Sequence, residues 1–374
     1  MPTGRPLFLG ICAFATLGGI LIAGLGPFHR PRNAVSWLDG KDGLHFGDNG
    51  TILSSRPITV PDSPEDGSCS LEIWLEPGVI GDANTFLAVY TPEEPTRISL
   101  HQYGSTFALR KGHTQTLSQN EPTAMYVDHI FQEGRAVFIT LTSGPQGTAV
   151  YRDGILVQKA SHLRLRGKDL TGQLVLGTSP VKPDSWAGEL HGLAIYSQEL
   201  TAAEVRMHYT TWIKDGHPEV TSREKPAAVY VFDEHAGSVV HDKAGSGADL
   251  YIPAQFVLVD QILLEPPWKE FSVTWGYWKN VLINIGGFVP LGFFVCAYLS
   301  VSRAGRRTGL SSILFGALVS LTIEFLQGYL PTRQSGLTDV ITNTLGTAGG
   351  VLVYRWKASQ TLLEYVLRQI LFAF

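Results

Sequence analysis

Four stretches of the chain are almost free of charge. Residues 7–28 carry none, nor do 280–302; residues 308–330 are broken only by Glu324, and 337–356 hold Asp339 near their start. At 1.5 Å of rise per residue each is long enough for a hydrocarbon core that takes about 20 helical residues, so four spanning helices are expected. Between the first and second the pattern changes. Over 33–260 short runs of β-branched and aromatic residues alternate with Gly, Pro, Asn and Asp, and strands are expected near 71–75, 136–142, 148–152, 172–177 and 188–196. Asp153-Gly154 suits the positive φ angles of a type I′ hairpin turn. Thr201 and Glu204 fit a capping box at the start of a helix. The expected fold is an α+β membrane protein: an all-β sandwich inserted into a helical transmembrane domain of about four helices. Its parts are a first helix within 1–30, a sandwich over 33–260, helices at 277–302, 308–330 and 337–356, and a tail. The tail, 358–374, places Leu362, Leu363, Val366, Leu367, Ile370 and Leu371 opposite Glu364, Arg368 and Gln369, which suits an amphipathic helix lying in the interface.

Charge at the helix ends gives an orientation. Arg303, Arg306 and Arg307 make the most basic short loop, and Arg355 with Lys357 follows the last helix; basic loops stay cytoplasmic. Both termini are then expected inside the cytoplasmic membrane and the sandwich on the extracytoplasmic side. Arg30 and Arg32, just after the first helix, count the other way. Trp275, Tyr277 and Trp278 suit an interfacial aromatic belt. A cleavable signal peptide is the competing reading of the first helix, but its apolar run is longer than such peptides use and no clean A-x-A-like site follows.

Of the 374 residues 44% are hydrophobic and 17% charged, below the roughly 25% charge of soluble domains, as membrane helices require. The net charge of −4 offers no basic surface to nucleic acid. Cys12 and Cys296 lie in apolar runs, leaving Cys69 alone in the sandwich, so no disulfide framework is expected. Neither HExxH nor a Cys/His cluster with zinc spacing occurs, and no cofactor or metal is assigned; calcium in the sandwich stays open without a motif.

Polar residues inside the apolar stretches are costly and so informative. Asn280 and Asn284 share a helix face, as do Glu324 and Gln327, and Asp339 and Asn343. With the orientation above, all three pairs sit toward the outer leaflet, with Arg333 in the connection between the last two helices. These seven are the candidate membrane site. Two readings stand side by side. Amides and ion pairs glue helices together, helped by close approach at Gly286, Gly287, Gly346, Gly349 and Gly350. Alternatively the residues bind a lipid headgroup, with Arg333 as partner of a phosphate or carboxylate and Glu324 as its counter-charge or a proton-transfer group.

Two resemblances follow from quoted residues. Leu71-Glu72-Ile73-Trp74, the Tyr151-Arg152-Asp153-Gly154 hairpin and the run from Trp186 to Tyr196 resemble a laminin G or concanavalin A-like jelly roll over 35–215, and a β-rich annex at 228–258 resembles the opening of such domains. This implies a module whose relatives include lectins, glucanases and adhesive domains, and Trp186 is a candidate glycan-stacking residue or else a core one. The ExDxxE strand of glucanases is absent, and Asp233-Glu234 would point to opposite faces of a strand. The second set, Asn280, Asn284, Gly287-Phe288, Pro290-Leu291-Gly292, Glu324, Gln327, Arg333, Asp339, Asn343 and Gly346, resembles the VanZ-like membrane family. Where that family commonly has an acidic residue beside the first asparagine, Lys279 stands here. The resemblance implies a link to the cell envelope and to glycopeptide (teicoplanin) resistance. The expected partners are membrane lipid and an envelope glycan or lipid-linked glycoconjugate. An enzyme acting on a lipid-linked substrate through Glu324 and Asp339, or adhesion through the sandwich, are the alternatives.

Overall fold

The computed structural model describes all residues except 1–3, 62–66, 82, 113–122, 220–223, 225, 303–306, 357–359, 362, 364 and 366–374. The basic loop residues Arg303 and Arg306, Lys357 and most of the expected amphipathic tail lie outside the described residues. The chain divides into two compact units, one of Arg30–Gln261, the other of Met1–His29 with Ile262–Phe374.

The first unit is a sandwich of two eight-stranded antiparallel sheets. Sheet one runs β1 (Val35–Trp37), β2 (Leu44–Phe46), β13 (Gly188–Tyr196), β4 (Cys69–Pro77), β9 (Val137–Gly144), β10 (Gly147–Arg152) and β11 (Ile155–Ala160), with β14 (Pro226–Tyr230) also paired to β13. Sheet two runs β15 (Val239–Val240), β16 (Leu250–Tyr251), β3 (Ile52–Ser54), β12 (Gln173–Leu176), β5 (Ala83–Tyr90), β6 (Ile98–Tyr103), β7 (Thr106–Lys111) and β8 (Ala124–Val127). Strand alternation explains the core. Leu71, Ile73 and Leu75 of β4, Val137, Ile139 and Leu141 of β9, and Leu193 and Ile195 of β13 face the space between the sheets. The β annex completes the sandwich, because β14 extends sheet one while β16 pairs with β3 in sheet two.

Strand β9 is buried on both faces, which plain alternation does not predict. Its outward residue Phe138 is covered by helix α2 (Ala202–Asp215), whose Val205 and Trp212 pack with Ala149, Tyr151, Ala194 and Tyr196. The start of α2 is capped as expected: Thr201 Oγ1 accepts from the Glu204 amide, and the Glu204 carboxylate accepts from the Thr201 amide at 2.6 Å. Gly216 closes the helix in the left-handed conformation. The β10–β11 hairpin turns on Asp153 and Gly154, at φ of 50° and 76°.

The second unit is helical: α1 (Gly4–Leu25), the short α3 (Pro267–Glu270), α4 (Trp275–Ser302), α5 (Thr308–Gln327) and α6 (Leu337–Arg355). Among the described residues three helices, α1, α4 and α5, are long and apolar enough to cross a membrane, one fewer than the four expected. The difference lies in α6, whose buried face is mostly small or polar, with Thr338, Thr342, Asn343, Gly346, Thr347 and Gly350 beside Val351. Its large apolar side chains, Ile341, Leu345, Leu352 and Val353, point outward instead. Leu7, Phe14, Leu282, Leu314 and Leu318 on the other helices are also exposed. Apolar outside and polar inside is the arrangement a lipid solvent selects, and the chain is a membrane protein.

Close approach of α4 and α6 rests on Gly292, Gly346 and Gly350, where an added Cβ would run into the facing backbone. At Gly316 of α5 an added Cβ would instead run into the Thr347 side chain. Gly286 and Gly287 face open space and Gly349 meets only Val289, so those three expected contacts are not where the helices touch.

Candidate functional site

The seven polar residues singled out in the sequence all line one cavity of about 350 Å³ in the helical unit. Helix periodicity does part of this. Asn280 and Asn284 present one face of α4, Glu324 and Gln327 one face of α5, and Asp339 and Asn343 one face of α6. Arg333 reaches in from the α5–α6 connection. The remaining wall is apolar and comes from α1, α4 and α5, with Ile20, Ala23, Phe288 and Ile323 among its residues.

Six of the seven polar groups are held by a partner from another element. Asn284 Nδ2 donates to Asp339 Oδ1 at 2.7 Å, tying α4 to α6. Glu324, 2% exposed, accepts the Gly336 amide through Oε2 at 2.8 Å. Asn343 Nδ2 donates to Ser320 Oγ at 2.9 Å. Gln327 Nε2 donates to the Gly24 carbonyl at 2.8 Å, and the Arg333 guanidinium donates to the Gly26 carbonyl, so the C-terminal end of α1 is part of the site. Asn280 is exposed and stands at the rim. Asn343 Oδ1 is buried and accepts no hydrogen bond among the described residues. A buried acceptor left unsatisfied costs about 1–3 kcal/mol unless water or a ligand donor fills it.

Two contributors escape a sequence reading. Glu270 Oε2 accepts the Thr338 amide at 2.9 Å, so with Glu324 it satisfies amides at the start of α6. Its position, just before the aromatic belt, carries no periodic signal. Ser320 does carry one, since Ser312, Gly316, Ser320, Glu324 and Gln327 form a buried small-and-polar stripe along α5.

Chemically the chamber offers two carboxylates, one guanidinium and four amides beside an apolar wall. It can take a compact polar group bearing both hydrogen-bond donors and an anionic or neutral oxygen, attached to something apolar.

In the sandwich, Trp186 is 2% exposed. It packs with Phe46 and Phe86, and its Nε1 donates to Gln102 Oε1 at 2.7 Å. That corrects its candidacy as a glycan-stacking platform: no ring face is open, because the strand following Gly177 turns the indole into the intersheet core. Asp233 pairs with Lys243 at 2.9 Å, while Glu234 accepts the His241 amide, so the adjacent acids serve separate structural roles.

Comparison with known proteins adds two family matches. Residues 229–358 match the VanZ/LLP1 family, and residues 49–206 match the concanavalin A-like lectin/glucanases superfamily. The first match begins within β14, ahead of the helical unit. A comparison with curated proteins finds no match. Among solved structures, the chain is similar to a heptameric SAP-like pentraxin from Limulus polyphemus, 11% identical with a TM-score of 0.35, covering 61% of this chain and 94% of that one. It is also similar to a provisionally assigned carbohydrate-binding protein of Bacteroides ovatus, 13% identical, TM-score 0.37, covering 62% and 63%. A third is the ligand-binding domain of botulinum neurotoxin serotype D in complex with N-acetylneuraminic acid, 13% identical, TM-score 0.34, covering 49% and 46%. The chain thus spans less than two thirds of the last two. At these scores the likenesses carry no functional argument.

Proposed function

We propose that this membrane protein, with its VanZ/LLP1-type helices and concanavalin A-like sandwich, binds a lipid-linked glycoconjugate or envelope glycan on the extracytoplasmic side of the cytoplasmic membrane. The helical cavity takes the polar headgroup of the lipid-linked molecule, and the sandwich takes glycan. One observation carries the reading: seven polar side chains from α4, α5, α6 and the α5–α6 connection face a single cavity with an apolar wall. Helix glue alone needs paired groups, not a chamber, and a volume of about 350 Å³ falls within the 300–1,000 Å³ usual for ligand sites. Arg333 suits a headgroup phosphate or carboxylate. Asn343 Oδ1, which accepts no hydrogen bond among the described residues, suits a hydroxyl or amide donor. For the sandwich, the match to a superfamily of lectins supports glycan as ligand, and the missing ExDxxE strand supports binding over hydrolysis.

The test is native mass spectrometry of the full chain in mild detergent, comparing wild type with Glu324→Gln and Arg333→Ala. Glutamine at 324 still accepts the Gly336 amide, so folding is kept. A discrete lipid-linked species on wild type that both variants lose is the expected result. Equal, heterogeneous lipid on all three would reduce the constellation to helix glue.

A second reading, an enzyme acting on a lipid-linked substrate, is supported by Glu324 and Asp339 lining the same cavity, a pair suited to acid/base work. It predicts that Glu324→Gln retains the bound lipid species but stops its turnover.

A further inference from the structure

The outer face of sheet one carries a second cluster of ligating groups, unrelated to the membrane cavity. Glu76 of β4 and Glu189 of β13 are direct cross-strand partners, so two carboxylates stand side by side on one face. Like charges in that register repel and weaken a sheet unless something positive lies between them. Beside them, β13 is irregular between Leu190 and Gly192, and His191 sits at that bulge. Bulges re-aim side chains. Here the imidazole leans on Trp74, ring centroids 4.9 Å apart, and is 7% exposed.

The two ring nitrogens have different surroundings. Nδ1 faces the Asp42 carbonyl at 3.4 Å, which can only accept, so the proton belongs on Nδ1. Nε2 is left with its lone pair. It makes no hydrogen bond among the described residues and lies 3.7 Å from Glu189 Oε2. A backbone carbonyl holding one ring nitrogen while the other turns its lone pair toward neighbouring carboxylate oxygens is the usual support of a metal-ligating histidine. The ligand atoms of Glu76, Glu189 and His191 all lie within 4.8 Å of one another.

We propose that Glu76, Glu189 and His191 form a site for a divalent transition metal of the zinc type, with one imidazole nitrogen and two carboxylate oxygens as ligands and a fourth position open to solvent. The nitrogen ligand argues against calcium, which takes six to eight oxygens, and three N/O ligands with one open position suit zinc. Lys41 holds the place of the cation. Its Nζ is 2.7 Å from Glu189 Oε2, and its side chain is 54% exposed, free to swing away when a metal enters. The other charged or titratable groups nearby are His45, the β2 partner of Glu189, and His235, 3.2 Å from Asp42.

The experiment is a titration of the full chain, purified in detergent and stripped of metal by a chelator, with Co2+ as the spectroscopic probe and Zn2+ as competitor. Wild type is expected to bind one Co2+ that Zn2+ displaces, with affinity reduced at least about tenfold in His191→Gln and in Glu76→Gln. Lys41→Met, which removes the competing ammonium from an exposed position, is expected to bind more tightly than wild type. That variant decides the matter should either ligand variant fold poorly. Identical Co2+ binding by wild type and His191→Gln, binding of calcium without cobalt, or no gain in Lys41→Met would overturn the proposal.

Discussion

At the scale of single residues, the sandwich keeps a charged cluster where its strand pattern promises an ordinary surface position. Glu72 faces outward on β4, yet α2 covers it completely. Its Oε1 lies 2.9 Å from His208 Nδ1, and its Oε2 accepts from Tyr196 at 2.9 Å and Trp212 Nε1 at 3.1 Å. His208 Nε2 in turn lies 3.1 Å from Glu224. Glu72→Ala would strand three buried donors, so a loss of about 3–5 kcal/mol of stability is expected in chemical unfolding. Burial alone would lower the His208 pKa, but the hydrogen bonds and charges of Glu72 and Glu224 outweigh it and raise the value above 6.5. A raised folded pKa contributes stability that is full below the unfolded value and lost as pH climbs through the folded one. The unfolding midpoint of the sandwich is therefore expected to fall as pH rises from neutral into the alkaline range, and His208→Gln should flatten that slope. A midpoint that climbs over the same window would rule out a charged His208. Lower pH is a poorer window, because two neighbours of Thr85 pull in opposite directions there. Burial raises Asp184 to about 6, so its stabilisation fades as pH rises through that value. Burial and the Arg110 charge lower His101 to about 3, so its stabilisation fades as pH falls below 6.5.

At the scale of elements, short-range chemistry is what the sequence carried well. The Asp153-Gly154 turn and the Thr201/Glu204 cap are decided within four residues, and both stand as expected. Helix packing is decided by partners far along the chain, and there the glycines were assigned unevenly. Gly346 meets the backbone at Ile285 and Gly350 that at Val289, while Gly286 meets nothing. Gly346→Ala should therefore push α4 and α6 apart, costing about 1–3 kcal/mol as an overpacked contact does. Gly286→Ala should be neutral or slightly stabilising, since alanine favours helix. Thermal unfolding of the two variants in the same detergent checks the pair, and equal melting temperatures would refute the glycine-mediated crossing. The inside-out character of α6 also belongs to this scale. Its threonines and Asn343, on the buried face, lower its hydropathy, and α6 is not among the helices apolar enough to cross a membrane.

At the scale of the molecule, the sandwich owns its core. Both sheets, the annex strands and α2 lie within Arg30–Gln261, and the opening segment is tied to the closing one by Asn33, whose side chain donates to the Pro253 carbonyl at 2.8 Å. Residues 30–261 alone are thus expected to fold and unfold in one cooperative step, seen as a single transition by circular dichroism and tryptophan fluorescence. Non-coincident transitions would show that the helical unit is needed to complete it. The helical unit is in contrast discontinuous in sequence, and its cavity is closed only when the carbonyls of Gly24 and Gly26 receive Gln327 and Arg333 from some three hundred residues away.

The sequence by itself determined the apolar stretches, the strand-rich middle, the hairpin, the cap and the seven polar residues of the membrane, because each follows from a local period or from the cost of a polar group in hydrocarbon. Only the tertiary structure decided that those seven share one chamber, that Glu270, Ser320 and α1 complete it, that Trp186 is core, and that Glu72 and His208 are buried while Glu76, Glu189 and His191 converge. These depend on which elements pack face to face, and a side chain's periodicity says which face it occupies but not what will cover that face.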